Sequence, residues 1–289
     1  MKRLFMCVAS MLFAASFASC SLFDFDTAKK HEPVVAGSVN ISISSPSGKI
    51  PAILETPALS EEQTCPIVIL MHGFASSKND AICAKVASSL REKGIASIRF
   101  DFNGHGDGYG RFQDMTIAKE IKDAKAVYDY AAKLDFVNKI GGLGHSQGAL
   151  VCALIAPDKK YKFNAMVLMS AAFCIPDDAR AGHNAGAEYD PKNVPAAGVP
   201  VEHGILGRDY IVEAQQIDVW KEIKGYDKPV YFVRGTSDPI INEDYVKRVF
   251  EIYPKVVHKA YDGDDHGFSH NFAAACNGAA DFLVKNLSK

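Results

Sequence analysis

The sequence predicts an α/β fold: a mainly parallel central sheet with helices on both faces and an inserted lid. Three observations carry this. Short, continuously apolar runs such as Ile67–Met71 read as strands covered on both faces, since a strand with one wet face would alternate. These runs alternate with amphipathic stretches at helical period, the grammar of parallel strands joined by crossover helices. The alternation is broken once, over about residues 174–224, by a long segment rich in Gly, Pro, Asp and Asn. A stretch of that length inside one domain reads as a lid rather than an inert loop.

Residues 1–19 stand outside this fold. Lys2 and Arg3 precede an apolar stretch, Leu4 to Phe17, that is too short to span a bilayer and has the layout of a secretory signal. It runs into Phe17-Ala18-Ser19-Cys20, which resembles the processing site of bacterial lipoproteins, with Phe17 where Leu is usual. On that reading Cys20 becomes the lipidated first residue, and the exported protein is held at a membrane, in the periplasm or at the outer membrane, only by this anchor. Cleavage nearby without lipid would give ordinary secretion. Residues 20–34 form a charged connector without periodicity, a tether, and residues 35–289 form one domain.

Along that domain, Ser38 to Glu55 alternates apolar and polar residues around Ser45-Pro46-Ser47-Gly48, an antiparallel hairpin. Ile67–Met71 is the first buried strand. Ala81–Lys93 is a helix stopped by Gly94. Ile95–Phe102, Lys139–Leu143, Ala165–Met169 and Pro229–Val233 read as further buried strands, and Lys255–Tyr261 as the last strand. Thr116–Leu134, Ala149–Ala156, Asp244–Tyr253 and Ala273–Leu287 are the intervening and closing helices.

Composition limits the function. With 48% hydrophobic residues the chain can fill a sizeable core, and 32 basic against 34 acidic residues leave no electrostatic footprint for nucleic acid. The 22 Gly, 13 Pro and 7 Cys exclude a collagen-like or disulfide-stapled chain. Cys65, Cys83, Cys152, Cys174 and Cys276 remain in the domain without CxxC spacing, and Cys83 and Cys152 sit in helical apolar patterns as small hydrophobes.

Gly144-His145-Ser146-Gln147-Gly148 lies directly after a buried strand and directly before a helix. A sharp turn there pushes the serine hydroxyl out at the strand's carboxyl end, and small neighbours let strand and helix approach. Ser146 is therefore the expected nucleophile. A serine needs a base and the base an orienting acid, in the chain order Ser, acid, His for this architecture. Asp238 follows the strand Pro229–Val233, and His266 follows the last strand. Asp264 and Asp265 are rivals for the acid, although adjacency to His266 makes an Asp–His side-chain geometry awkward. His258 and His270 read as structural or surface residues. His266 and His270 have metal-ligand spacing without an evident third ligand, so no metal is expected.

The oxyanion needs donors fixed in advance. One is the backbone N–H of Gln147, and the other comes from His72-Gly73-Phe74 after the first buried strand, as the N–H of Phe74. His72 itself reads as packing beneath the site. Gly104 to Gly110 does not fit a nucleotide-binding glycine pattern and reads as a mobile loop rimming the cleft.

From about residue 38 to 285 the chain resembles the α/β-hydrolases, and more narrowly the bacterial cinnamoyl (feruloyl) esterases. The resemblance rests on His72-Gly73-Phe74, the run Arg99 to Gly106, Gly144-His145-Ser146-Gln147-Gly148, and the insert ending in Tyr210 to Gln216. It implies that the lid caps a slot for a phenolic acid. An acid and a tyrosine matching Asp178 and Tyr210 would meet the ring hydroxyls, while a glutamine used by some members falls on Ala185. The implied activity is a serine carboxylic-ester hydrolase, without cofactor, that releases hydroxycinnamic acids from plant-derived esters. The alternatives are an esterase or lipase for short aliphatic or acylglycerol esters, a serine peptidase, and a non-catalytic binding protein; the intact Ser146, Asp238 and His266 argue against the last.

Overall fold

The computed structural model describes residues 31–241 and 243–288. The segment expected to be a signal, Cys20 and most of the expected tether lie outside the described residues. Residues 31–34 lie along the rest of the chain: the His31 N–H donates to Glu61 O at 3.1 Å, and Val34 bridges to Leu59.

The alternating segment folds as the hairpin β1 (Gly37–Ser45) and β2 (Gly48–Thr56), paired antiparallel in register Ser45↔Gly48. Then come β3 (Cys65–Met71), α1 (Ala81–Glu92), β4 (Ala96–Phe100), α2 (Ile117–Ala131), β5 (Val137–His145), α3 (Gln147–Ile155) and β6 (Met166–Met169). Asp80 and Thr116 begin α1 and α2 by accepting from the N–H groups of Cys83 and Lys119, as N-cap side chains do. The insert contains α4 (Ile175–Ala181), the small hairpins β7 (His183–Asn184) with β8 (Ala187–Glu188) and β9 (Val199–Val201) with β10 (Gly204–Leu206), and the helices α5 (Arg208–Gln216) and α6 (Val219–Glu222). The chain closes with β11 (Val230–Gly235), α7 (Glu243–Ile252), β12 (Val256–Tyr261) and α8 (Phe272–Leu287).

Eight strands form one sheet in the order β1-β2-β4-β3-β5-β6-β11-β12. β2 pairs antiparallel with β1 and β4, and the pairings from β4 through to β12 are parallel. All seven residues of β3 are buried. The two-residue period sends Ile67, Ile69 and Met71 to a core shared with α2 and α3, and Val68 and Leu70 to a second core under α1 and α8. From β3 the chain crosses to β4 on one side and returns to β5 on the other. The carboxyl ends of β3 and β5 thus flank the point where strand order reverses, where parallel sheets open a crevice.

Candidate active site

β5 ends at His145 and α3 begins at Gln147, so Ser146 alone makes the turn. Its backbone stands at φ 55°, ψ −121°, a positive-φ conformation that costs a non-glycine residue about 1–3 kcal/mol. Neighbouring backbone holds it there: its N–H donates to Met169 O at 2.9 Å, and its carbonyl accepts from Ala172 N–H at 3.1 Å. The flanking glycines are required by close approach. A Cβ on Gly144 would come within 2.2 Å of Gly148 O, and one on Gly148 within 2.3 Å of Met71 O. The Gly-x-Ser-x-Gly string is thus a packing condition between β3, β5 and α3.

The loops after β11 and β12 converge on this turn. The Ser146 hydroxyl donates to His266 Nε2 at 2.8 Å, and His266 Nδ1–H donates to Asp238 Oδ2 at 2.8 Å. The other oxygen of Asp238 accepts from Ile240 N–H at 2.8 Å. Burial raises the pKa of Asp238, but the hydrogen bond and charge of His266 and the Ile240 N–H outweigh it, and the net shift is downward. Asp238 therefore stays ionised beside the imidazole. The rivals are occupied elsewhere. Asp264 accepts from the N–H groups of His270 and Asn271, and Asp265 from those of Gly267 and Ser269.

Phe74 and Gln147 both line the cavity at Ser146. The loop carrying Phe74 presses on the serine, since a Cβ on Gly73 would lie 3.1 Å from Ser146 Cβ. Gln147 is the first residue of α3, and such an N–H has no partner within its helix. His72 lies under this loop as a buried neutral ring: Nδ1–H donates to Gly73 O at 2.8 Å, and Nε2 accepts from Phe102 N–H at 3.2 Å. Burial lowers its pKa, and with both ring nitrogens held by backbone groups it packs beneath the loop. Buried Asp101 pins the same loop by accepting from Lys78 N–H and Lys78 Nζ, each at 2.6 Å.

The expectation of a mobile loop at the cleft rim does not hold for Gly104 to Gly110. Gly104, Tyr109 and Gly110 line a separate cavity, beside Pro46 and Ser47 of the hairpin turn and Lys122 of α2. The loop is tied down by Asp107 N–H to Asp101 Oδ2 at 3.0 Å and Tyr109 N–H to Asn103 Oδ1 at 2.9 Å. The five cysteines of the domain are buried and free.

A cavity of about 420 Å³ opens above Ser146. Its floor is Phe74, Ser146, Gln147 and Ala172; Ile240 flanks it, and the insert supplies the rest from α4, the β7–β8 turn, Leu206 and Tyr210. The walls are mostly apolar, with Asp178, His183 and Asn184 on the side supplied by the insert. Asp178 is partly buried with its carboxyl raised above the usual range by burial, and its Oδ1 lies 3.8 Å from His183 Nδ1. Ala185 also lines the cavity. Tyr210 also lines it, but its hydroxyl has a protein partner: it donates to Gln147 Oε1 at 2.7 Å.

That contact leads to a residue the motifs did not single out. Gln147 Nε2 donates to Glu120 Oε1 at 2.8 Å, and Glu120 is 1% exposed. A signal for it exists in the sequence, because Glu120 and Asp123 fall on the same helical stripe as Ile117, Ala124, Val127 and Ala131. Burial, with Asp123 adding and the Gln147 hydrogen bond opposing, pushes the Glu120 carboxyl up to about 8. Between its unfolded value near 4.5 and about 8, the folded chain holds a proton that the unfolded chain has lost, so stability falls as pH rises through that window. Glu120→Gln removes this dependence. Melting temperatures at pH 5 and pH 8 should show wild type losing several degrees relative to the variant at the higher pH; parallel curves would refute the shift.

The family described as serine aminopeptidase, S33, matches residues 62–206, a stretch that contains the Ser146 turn and ends within the insert. Est1E from Butyrivibrio proteoclasticus, solved with ferulic acid bound, is 32% identical, with a TM-score of 0.81 over 86% of this chain and 100% of its own. The Pyrococcus furiosus esterase Pf2001, at 19% identity and a TM-score of 0.62 over 88% of this chain and 98% of its own, shares the fold. An uncharacterized 31.7 kDa protein in the traX-finO intergenic region of Escherichia coli is 31% identical over 100 residues, which are 34% of this chain and 35% of that protein.

Proposed function

This chain belongs to the α/β-hydrolase family described as serine aminopeptidase, S33, and from that premise we propose that it is a serine carboxylic-ester hydrolase releasing hydroxycinnamic acids from plant-derived esters. The observation that carries the reading is the Ser146–His266–Asp238 chain, with both links at 2.8 Å, opening into a capped, mostly apolar cavity. In this reading His266 takes the proton of Ser146 as its oxygen attacks the ester carbonyl. Asp238 stabilises the imidazolium that results. The oxygen of the tetrahedral intermediate sits against the N–H groups of Phe74 and Gln147, and His266 then protonates the leaving alcohol. Water, activated by the same histidine, releases the acid from Ser146.

The cavity and the relative solved with ferulic acid support this substrate class. A flat phenylpropenoyl group suits apolar walls, and of the polar groups on the lid side, Asp178, His183 and Asn184, the Asp178 carboxyl would meet a ring hydroxyl. Tyr210 contributes its ring to the wall, with its hydroxyl proton directed to Gln147. The apolar lining, with Ala185 where a polar residue could stand, also favours short aliphatic acyl chains as the second reading.

Turnover of methyl ferulate, a short-chain fatty ester and an amino-acid arylamide separates these readings. The expected result is ester turnover with methyl ferulate preferred. Preference for the fatty ester supports the second reading, and cleavage of the arylamide alone would point to a peptidase. Asp178→Ala should cost roughly 2- to 13-fold in kcat/KM on methyl ferulate, the equivalent of about 0.5–1.5 kcal/mol for one lost hydrogen bond. The fatty ester, lacking a ring hydroxyl, should show almost no loss; equal losses on both would mean that Asp178 only supports lid packing. The proposed location is outside the cytoplasm, at a membrane through Cys20.

A further inference from the structure

We propose that Glu120 and Tyr210 are positioning residues for Gln147, gripping its carboxamide from two sides so that the backbone N–H beside Ser146 is held ready for the oxyanion. The proposal rests on the roles given to Ser146 and Gln147 above. Its physical basis is a short relay across three elements. Tyr210 on lid helix α5 donates to Gln147 Oε1 at 2.7 Å, and Gln147 Nε2 donates to Glu120 Oε1 on α2 at 2.8 Å. Tyr210 is 2% exposed, and Gln147 and Glu120 are 1% exposed each. Tyr210 and Glu120 are the side-chain partners of the amide among the described residues, and away from water they confine it from both ends.

The arrangement is costly in a way that packing alone does not explain. Glu120 Oε2 has no hydrogen-bond partner among the described residues, and an apolar residue would fill the same space on the core face of α2. What the carboxyl supplies is an acceptor for Gln147. Gln147 directly follows the positive-φ turn at Ser146, so confining its side chain also confines the peptide that presents its N–H. Geometry matters here, since displacement of a catalytic group by about 1 Å can cost on the order of 10²-fold in rate. The Tyr210 contact adds a condition. Gln147 Oε1 is satisfied when α5 is docked over the site, which links a seated lid to a prepared oxyanion site.

The test uses the full chain and the isosteric variants Tyr210→Phe and Glu120→Gln, with Glu120→Leu as the disruptive one. Values of kcat and KM are measured on methyl ferulate and on a short-chain fatty ester, beside melting temperatures and the rate of fluorophosphonate labelling. Tyr210→Phe should lower kcat by about 3- to 30-fold on both esters with little change in KM, a fraction of the roughly 10²- to 10³-fold cost of deleting an oxyanion donor. Glu120→Leu should do the same. Glu120→Gln should stay within about twofold of wild type, because an amide oxygen still accepts from Gln147 Nε2.

Unchanged kcat in Tyr210→Phe overturns the proposal, as does a loss confined to methyl ferulate, which would make Tyr210 a reader of the phenolic ring. Glu120→Gln proving as damaging as Glu120→Leu also overturns it. Should Glu120→Leu melt below the assay temperature, Tyr210→Phe still decides. Failure of the underlying reading has a different signature: wild type would take up no fluorophosphonate at Ser146, and the positioning role would fall with it.

Discussion

Ser146→Ala is expected to lower kcat by roughly 10³- to 10⁶-fold while leaving the fold and the melting temperature close to wild type. On the proposed mechanism, the size of the loss comes from removing the oxygen that forms the acyl intermediate. The residual rate would come from binding and the oxyanion donors, which do not need the hydroxyl. Folding should survive because the turn is held by backbone contacts, Ser146 N–H to Met169 O and Ala172 N–H to Ser146 O, and by the close approach of Gly144 and Gly148. Alanine even keeps the Cβ that faces Gly73. Single-turnover and steady-state rates on methyl ferulate, with a thermal melt as the control, measure both halves. A variant that keeps a tenth of the activity would sink the assignment.

Asp238→Asn is the second large effect, about 10²- to 10⁴-fold in kcat. The carboxylate accepts the Nδ1 proton of His266 at 2.8 Å, which leaves Nε2 free to accept from Ser146. An amide in its place can donate to Nδ1, which favours the tautomer protonated at Nε2, unable to take the serine proton. It also removes the negative charge opposite the imidazolium. The matched controls are Asp264→Asn and Asp265→Asn, whose carboxylates cap backbone N–H groups in the same loop. These should lose stability rather than turnover. If either one, and not Asp238→Asn, removes turnover in a folded protein, the acid has been misassigned.

The parts legible from the chain share one property: their causes are local. The hairpin at Ser45 to Gly48, the buried run of β3 and the stop at Gly94 each follow from periodicity or a steric preference within a few residues. The turn at Ser146 belongs with them, because strand, glycines, serine and helix are contiguous. Asp238 and His266 were reachable one step further, through chain order and the rule that parallel strands present their carboxyl ends together. Glu120 was within reach as a carboxyl on an apolar stripe, but nothing in the stripe says which side chain it meets.

By itself, then, the sequence determined the sheet with its two helical layers, the serine turn, and the loops that could carry a base and an acid. Only the tertiary structure shows which of the three aspartates meets His266: Asp238 does, while backbone N–H groups occupy Asp264 and Asp265. It also moved the glycine loop after β4 away from the serine cavity and turned the Tyr210 hydroxyl toward Gln147, 63 residues earlier in the chain. The physical reason is the same in each case. Period and turn chemistry are written along the chain, whereas the partner of a buried polar group depends on which elements dock, and that is settled by packing of the whole core.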